Sequence, residues 1–230
     1  MIKHINHLDI KYNESNKIKS YFHFSIGDYY NPENVNFGKL RILNDEVISP
    51  KGGFDLHPHR NLEILTLMIE GEMTHRDSLN NEIVLKAGDL QYMSAGKGIV
   101  HSEINKSNQD NRLLQIWILP SVRNLEPKHN LLKTNELLSL NEFVKVAGSK
   151  DAPIIINQDA NIYLLKLEEN NEVNFEILEE RQAYLVQIEG RSNINGLSIL
   201  THDALEIIEE NITIKAEENS YIIIIEMKKE

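Results

Sequence analysis

The sequence predicts an all-β protein made of two copies of one barrel. Three observations lead there: short Ile-, Leu- and Val-rich runs alternate with turn residues from residue 35 onward, that texture breaks between about Pro120 and Ser149, and it then returns. Runs of this length and spacing belong to a sandwich or barrel rather than to βαβ units.

In chain order the first set reads GKLRIL, EILTLMIEG, EIVLKAGD, LQYMSAGKG and RLLQIWILP, with SLNNEI at 78 to 83 as a hairpin turn. The segment PSVRNLEPKHNLLKTNELLSLNEF carries two prolines and an irregular, partly helical pattern, so it reads as a connection before VKVAG resumes. The second set is NIYLLKLEE, VNFEILEE, AYLVQIEG, SILTHDALEII, NITIKAEE and YIIIIEM, the last uninterrupted and β-branched like a strand buried on both faces. The expected domains are therefore 1–130 and 150–230, joined by a connection at 131–149.

The halves align on themselves. Placing MIEG (68–71) over QIEG (187–190) brings two strand-glycine junctions into register, and twelve residues separate Asp89 from His101 as they separate Asp203 from Lys215. A repeat of about 110 residues follows. Under that alignment His57 falls on Glu176, His59 on Leu178, His101 on Lys215, and Glu103 on Glu217. The second copy thus lacks the histidines of the first.

Those histidines carry the chemistry. Residues i and i+2 of a strand face one side, so His57 and His59 of HPH project together while Pro58 faces away, and His101 and Glu103 of HSE do the same. On neighbouring strands the two pairs would converge as three imidazoles and one carboxylate, a set that holds a divalent metal with positions left open. An isolated His-x-His pair is more often a surface or satisfied pair; the second pair shifts the balance to a metal.

Composition narrows the rest. Asp and Glu total 35 against 24 Lys and Arg, a net charge of −11, which repels nucleic acid and anionic membranes. With no cysteine, a metal must rest on His, Asp or Glu, and a reducing cytoplasm is the expected location. No window approaches the roughly 20 apolar residues of a bilayer span.

HPHRNLEILTLMIEGEMTHRDSLNN followed by AGDLQYMSAGKGIVHSE, with HFSIGDYYNPENVNFGKLRILNDEVISP upstream, resembles the pirin family of the cupin superfamily, over about residues 20–130. The resemblance implies a bicupin, two tandem cupin (double-stranded β-helix, jelly-roll) barrels, the first metal-bearing and the second metal-free. It implies one divalent transition metal on His57, His59, His101 and Glu103, usually Fe(II); nickel, copper, manganese, cobalt or zinc suit the same donors. It also implies a quercetin 2,3-dioxygenase reaction on a flavonol or related enediol with O2, with Glu103 as ligand and catalytic base. Glu63 would not be a ligand, and Ser94 stands where many cupins have proline. Alternatives from other classes are a metal-bearing regulator of a protein partner and a metal-free scaffold. A monomer is expected.

Other residues take structural readings. His75 and Asp77 enter a hairpin; His4, His7, His23, His129 and His202 lack a partner at ligand spacing; Trp117, the sole tryptophan, reads as core; AGKG reads as a tight turn toward His101.

Overall fold

The structure, a computed structural model, describes residues 1–15 and 17–229; Asn16 and Glu230, each inside an expected domain, lie outside the described residues. In chain order the strands are β1 (Ile2–Ile5), β2 (Lys11–Glu14), β3 (Ile18–Phe22), β4 (Leu40–Ile48), β5 (Gly53–His59), β6 (Glu63–Glu70), β7 (Glu72–Asp77), β8 (Glu82–Lys86), β9 (Asp89–Ser94), β10 (Ile99–Ile104) and β11 (Asn111–Ile118). There follow β12 (Lys128–Lys133), β13 (Phe143–Gly148), β14 (Ile154–Ile155), β15 (Ala160–Leu167), β16 (Glu172–Phe175), β17 (Arg181–Glu189), β18 (Arg191–Ile194), β19 (Leu197–Leu200), β20 (Ala204–Ile208), β21 (Ile212–Ala216) and β22 (Ser220–Lys228). A single 3-10 turn, Thr134–Glu136, is the helical content of the described residues; it lies in the expected connection, whose partly helical pattern is thereby reduced to one turn between strands and loop. No helix among the described residues is long and apolar enough to cross a membrane.

Each of two compact units pairs a seven-stranded with a four-stranded sheet. The first has β12-β9-β6-β11-β4-β3-β2 and β5-β10-β7-β8; the second has β1-β20-β17-β22-β15-β13-β14 and β16-β21-β18-β19. The inner strands of the two units correspond, as the repeat requires: β9, β6, β11 and β4 answer to β20, β17, β22 and β15. Gly71 and Gly190 end matching strands with φ of 72° and 76°, and Asp89 and Asp203 each accept from the backbone N–H three residues earlier, at 2.8 and 3.0 Å. The closing strand β22 is central in its sheet and buried along nearly its whole length, as its Ile run demands.

The units depart from the expected boundaries where pairing overrules chain order. Met1–Ile10 belongs to the second unit, because β1 pairs with β20 (Ile2 opposite Ile207). Strand β12, which crosses the expected boundary at 130, pairs with β9 and keeps the chain in the first unit to Asn135; β13, placed in the connection, belongs to the second. Residues Ile156–Gln158 return to the first unit, where Glu63 Oε1 accepts from the Asn157 N–H (2.7 Å) and the Leu119 carbonyl accepts from Gln158 Nε2 (2.6 Å).

Register corrects the internal alignment. In the first unit Glu103 lies opposite His75 and His101 opposite His57; the matching positions in the second are Ile214 opposite Ile194, and Ile212 opposite Phe175. The counterparts of His57, His101 and Glu103 are thus Phe175, Ile212 and Ile214, one residue from the expected Glu176 and three from the expected Lys215 and Glu217. Lys215 is exposed and Glu217 pairs with Arg191 (2.9 Å), so Glu217 is not a surviving Glu103.

A row of side chains crosses the inner face of the first seven-stranded sheet: Gln91, Thr66, Gln115 and Asn44 stand opposite one another on β9, β6, β11 and β4, all nearly buried. Two residues along the strands, apolar packing resumes with Ile64 and Met93 on one side and Met68 and Leu113 on the other. In the second unit the same row reads Leu205, Leu185, Ile224 and Tyr163, within or against a continuous aliphatic core. One barrel is filled with hydrocarbon; the other keeps a polar belt.

Candidate metal centre

Strand β10 lies between β5 and β7, and its burial alternates, with Ile99, His101 and Glu103 inward and Val100 exposed. On β5, His57 and His59 are half-buried while Leu56 and Pro58 are exposed, the alternation that a two-residue period imposes. A register shift between His101 and Glu103 interrupts the β5 pairing. Gly53 makes it feasible: its φ is +134°, and a Cβ there would lie 2.0 Å from the Glu103 carbonyl oxygen.

The three histidines converge. Ring centroids are 4.4 Å apart for His57 and His101, 4.8 Å for His57 and His59, and 4.9 Å for His59 and His101. One nitrogen from each lies within 4.8 Å of the others, and a second such group joins His101, Glu103 and His75. The His57 Nδ1–H donates to the Asp55 carbonyl (2.7 Å); a carbonyl only accepts, so the tautomer is fixed and Nε2 carries the lone pair. His59 Nε2 and both ring nitrogens of His101 are buried with no hydrogen-bond partner among the described residues. Three unpaired nitrogens in one buried spot are costly unless another group satisfies them. Burial, reinforced by the neighbouring imidazoles, pushes His101 down to about 2 and His59 down to about 4. Neutral imidazoles beside a carboxylate are the donor set a divalent metal requires.

Glu103, 1% exposed, is held by the polar belt. Gln115 Nε2 donates to its Oε2 (2.8 Å) and Thr66 Oγ1 to its Oε1 (3.3 Å). The indole Nε1–H of Trp117 donates in turn to Gln115 Oε1 (3.0 Å), which fixes the amide with its NH2 toward Glu103. Trp117 is half-buried and stands edge-on to His59, centroids 4.9 Å apart. The core reading holds for one side of it, which packs against the cluster of Ile64, Met93, Ala95 and Ile99, while Trp117 also walls the cavity beside the histidines. The cavity, of about 300 Å³, is lined by His57, His59, Phe22, Ile26, Phe54, Trp117, Asn44, Glu46 and Gln115, among others.

The hairpin reading of Asp77 stands in its bonds: Oδ1 accepts from the Leu79 and Asn81 N–H groups and Oδ2 from Asn81 Nδ2. His75 bonds Asp77 Oδ2 (3.2 Å), the partner that its spacing in THRDS offers, and it also packs 5.3 Å from His101 and 5.4 Å from His129, contacts that spacing did not reveal. His4 and His7 find a partner as well: both bond the buried Asp203, at 3.0 and 2.7 Å. Glu63 stays out of the centre, its Oε1 accepting from the Tyr92 hydroxyl (2.6 Å) and from Asn157. Thr66, Gln115, Asn44 and Glu46 were not singled out from the sequence. Their signal is a polar residue at an inward position of an otherwise apolar strand, as in EILTLMIE, RLLQIWI and LRILNDEVI.

Residues 6–118 match the family described as Pirin, and residues 146–227 the family described as Quercetinase C-terminal cupin domain. A quercetin 2,3-dioxygenase of Escherichia coli (strain K12) is 34% identical over 212 residues, covering 91% of each chain. A pirin-like protein of Caulobacter vibrioides is 35% identical over 213 residues, 91% of this chain and 92% of its own. Among solved structures, the bacterial pirin YhhW of Escherichia coli in complex with nickel(II) superposes over the whole of both chains with a TM-score of 0.94 at 31% identity.

Proposed function

This chain belongs to the pirin family, with its two cupin domains, and on that premise we propose that it is a metal-dependent dioxygenase that opens a flavonol such as quercetin with O2. The observation that carries the reading is the meeting of His57, His59 and His101, with buried unpaired nitrogens, beside an aromatic-walled cavity. The same four residues, His57, His59, His101 and Glu103, are proposed as the ligands, with Fe(II) first among the metals they suit.

When bound there, the metal would lower the pKa of a substrate hydroxyl and carry electrons between the substrate and dioxygen. Glu103 Oε2 is engaged by Gln115, so Oε1, with only the longer bond from Thr66, is the atom that takes the hydroxyl proton. Phe22, Ile26, Phe54 and Trp117 give a flat ring an apolar bed and keep water from it. In the second barrel, isoleucines and a phenylalanine at the matching positions offer no ligand, so one site per chain is proposed.

The test compares wild type with the His57→Ala/His101→Ala variant, both purified without chelator. About one equivalent of transition metal in wild type, lost in the variant, together with oxygen uptake and bleaching of quercetin by the iron-loaded wild type, supports the reading. Iron-loaded protein that consumes no oxygen with any flavonol overturns it.

A further inference from the structure

We propose that Asn44 and Glu46 form a hydroxyl-recognition subsite in this cavity, selecting ligands that carry a hydroxyl group besides the oxygens that chelate the metal. The inference deepens the flavonol reading and rests on it.

Asn44 and Glu46 lie two apart on β4, so they share a face, and each is 2% exposed. Asn44 Nδ2 donates to Glu46 Oε1 (3.1 Å), and Ser20 Oγ reaches the same oxygen at 3.5 Å. Glu46 Oε2 and Asn44 Oδ1 are then left buried with no hydrogen-bond partner among the described residues, in side chains that line the cavity with His57 and His59. Buried polar oxygens without partners destabilise a fold, and two side by side call for a shared explanation.

The fold does not need them. On the matching strand of the second barrel, register places Tyr163 and Leu165 where Asn44 and Glu46 stand, and Leu165 is fully buried core. A leucine therefore satisfies the barrel at the position where the first unit buries a carboxyl.

The chemistry of the pair defines its ligand. Oε1 accepts from Asn44 and Ser20, which leaves Glu46 Oε2 and Asn44 Oδ1 as the two unpaired oxygens for a ligand. An amide oxygen only accepts, so Asn44 Oδ1 requires a donor. A hydroxyl donates to it and can both donate to and accept from the carboxyl of Glu46. An ether has no proton for Oδ1, and a carboxylate meets its lone pairs.

The probes are quercetin and 3-hydroxyflavone, which share the chelating hydroxyketone while the second lacks every other hydroxyl. Both are titrated anaerobically into nickel-loaded wild type and the Asn44→Leu/Glu46→Leu variant. Wild type is expected to bind quercetin about tenfold more tightly, as two ordinary hydrogen bonds provide. In the variant that ratio falls to about one, through loss of quercetin affinity alone, with metal content unchanged. A ratio that survives in the variant overturns the subsite. Equal affinities in wild type overturn it with no variant needed. If neither flavonol binds wild type, both the subsite and the flavonol reading fall. Discrimination that depends on Asn44 and Glu46 without oxygen uptake by iron-loaded protein removes only the dioxygenase reading; oxygen uptake with an unaltered ratio removes only the subsite.

Discussion

Gln115 Nε2 donates to Glu103 Oε2 at 2.8 Å, and this bond ties the candidate metal centre to the opposite sheet. Glu103 sits on β10 of the four-stranded sheet and Gln115 on β11 of the seven-stranded one, so the carboxylate is positioned from across the barrel rather than by its own strand. With Trp117 behind it, Gln115 presents its NH2 in one orientation. Outer partners of this type set how well a ligand is held.

Replacing Gln115 with Leu removes the donor and leaves a buried carboxylate oxygen unpaired. Metal affinity, measured by chelator competition, is expected to fall roughly ten- to a hundredfold, and stability by about 1–3 kcal/mol. Unchanged affinity would show that Glu103 needs no help from the belt.

Gly53→Ala attacks the same carboxylate from the backbone. The added Cβ would stand 2.0 Å from the Glu103 carbonyl oxygen, at a φ that side chains rarely adopt, so β5 must move off β10. A loss of about 3 kcal/mol in chemical denaturation is expected, together with weaker metal binding, since His57 and His59 ride on the displaced strand.

Glu46 gives the metal-free protein a dependence on pH. Burial raises its carboxyl from the ordinary 4.5 to about 8, so between those values the folded state holds a proton that the unfolded chain has released. Its contribution is full below pH 4.5 and is lost as pH rises through 8. Glu46→Gln removes this slope. Relative to wild type, the variant should gain on the order of 3 kcal/mol between pH 5 and 8, read from urea midpoints; parallel profiles would place the Glu46 proton elsewhere.

Trp117 is the only tryptophan and lies 4.9 Å from the His59 ring, so its fluorescence reports on the site. Nickel or iron added to metal-free protein should quench most of the emission, with a stoichiometry near one. The His57→Ala/His101→Ala variant should show no saturable quenching.

Asp203 anchors the first strand of the second unit, accepting from His4 Nε2, from His7 Nδ1 and its backbone N–H, and from the Leu200 N–H. Asp203→Ala should loosen β1 from β20. Amide exchange at Ile2–Ile5 is expected to accelerate strongly, with a stability loss of about 2–4 kcal/mol, while metal content stays at the wild-type level.

Much was legible in the strand pattern. The alternation in HPHRNLEILTLMIEG and IVHSEI put His57, His59, His101 and Glu103 on inward faces, and the structure draws the three histidines together while Glu103 reaches His101. The aliphatic closing strand and the repeat of MIEG in QIEG likewise marked two barrels of one design. Spacing alone misplaced the equivalences between the halves, because Glu103 answers to Ile214 rather than Glu217, and only hydrogen-bond register reveals such a slip. The boundaries shifted for a related reason: β1 pairs with β20, about 200 residues away in sequence, a contact that local pattern does not encode.

By itself, then, the sequence determined that the chain is a two-barrel β protein and which side chains face inward, because a two-residue period depends only on neighbours along the strand. The tertiary structure decided which inward side chains meet. Thr66, Gln115, Asn44 and Glu46 come from three strands and are joined to the histidines only when one sheet closes over the other, so their roles arise from pairing across the barrel.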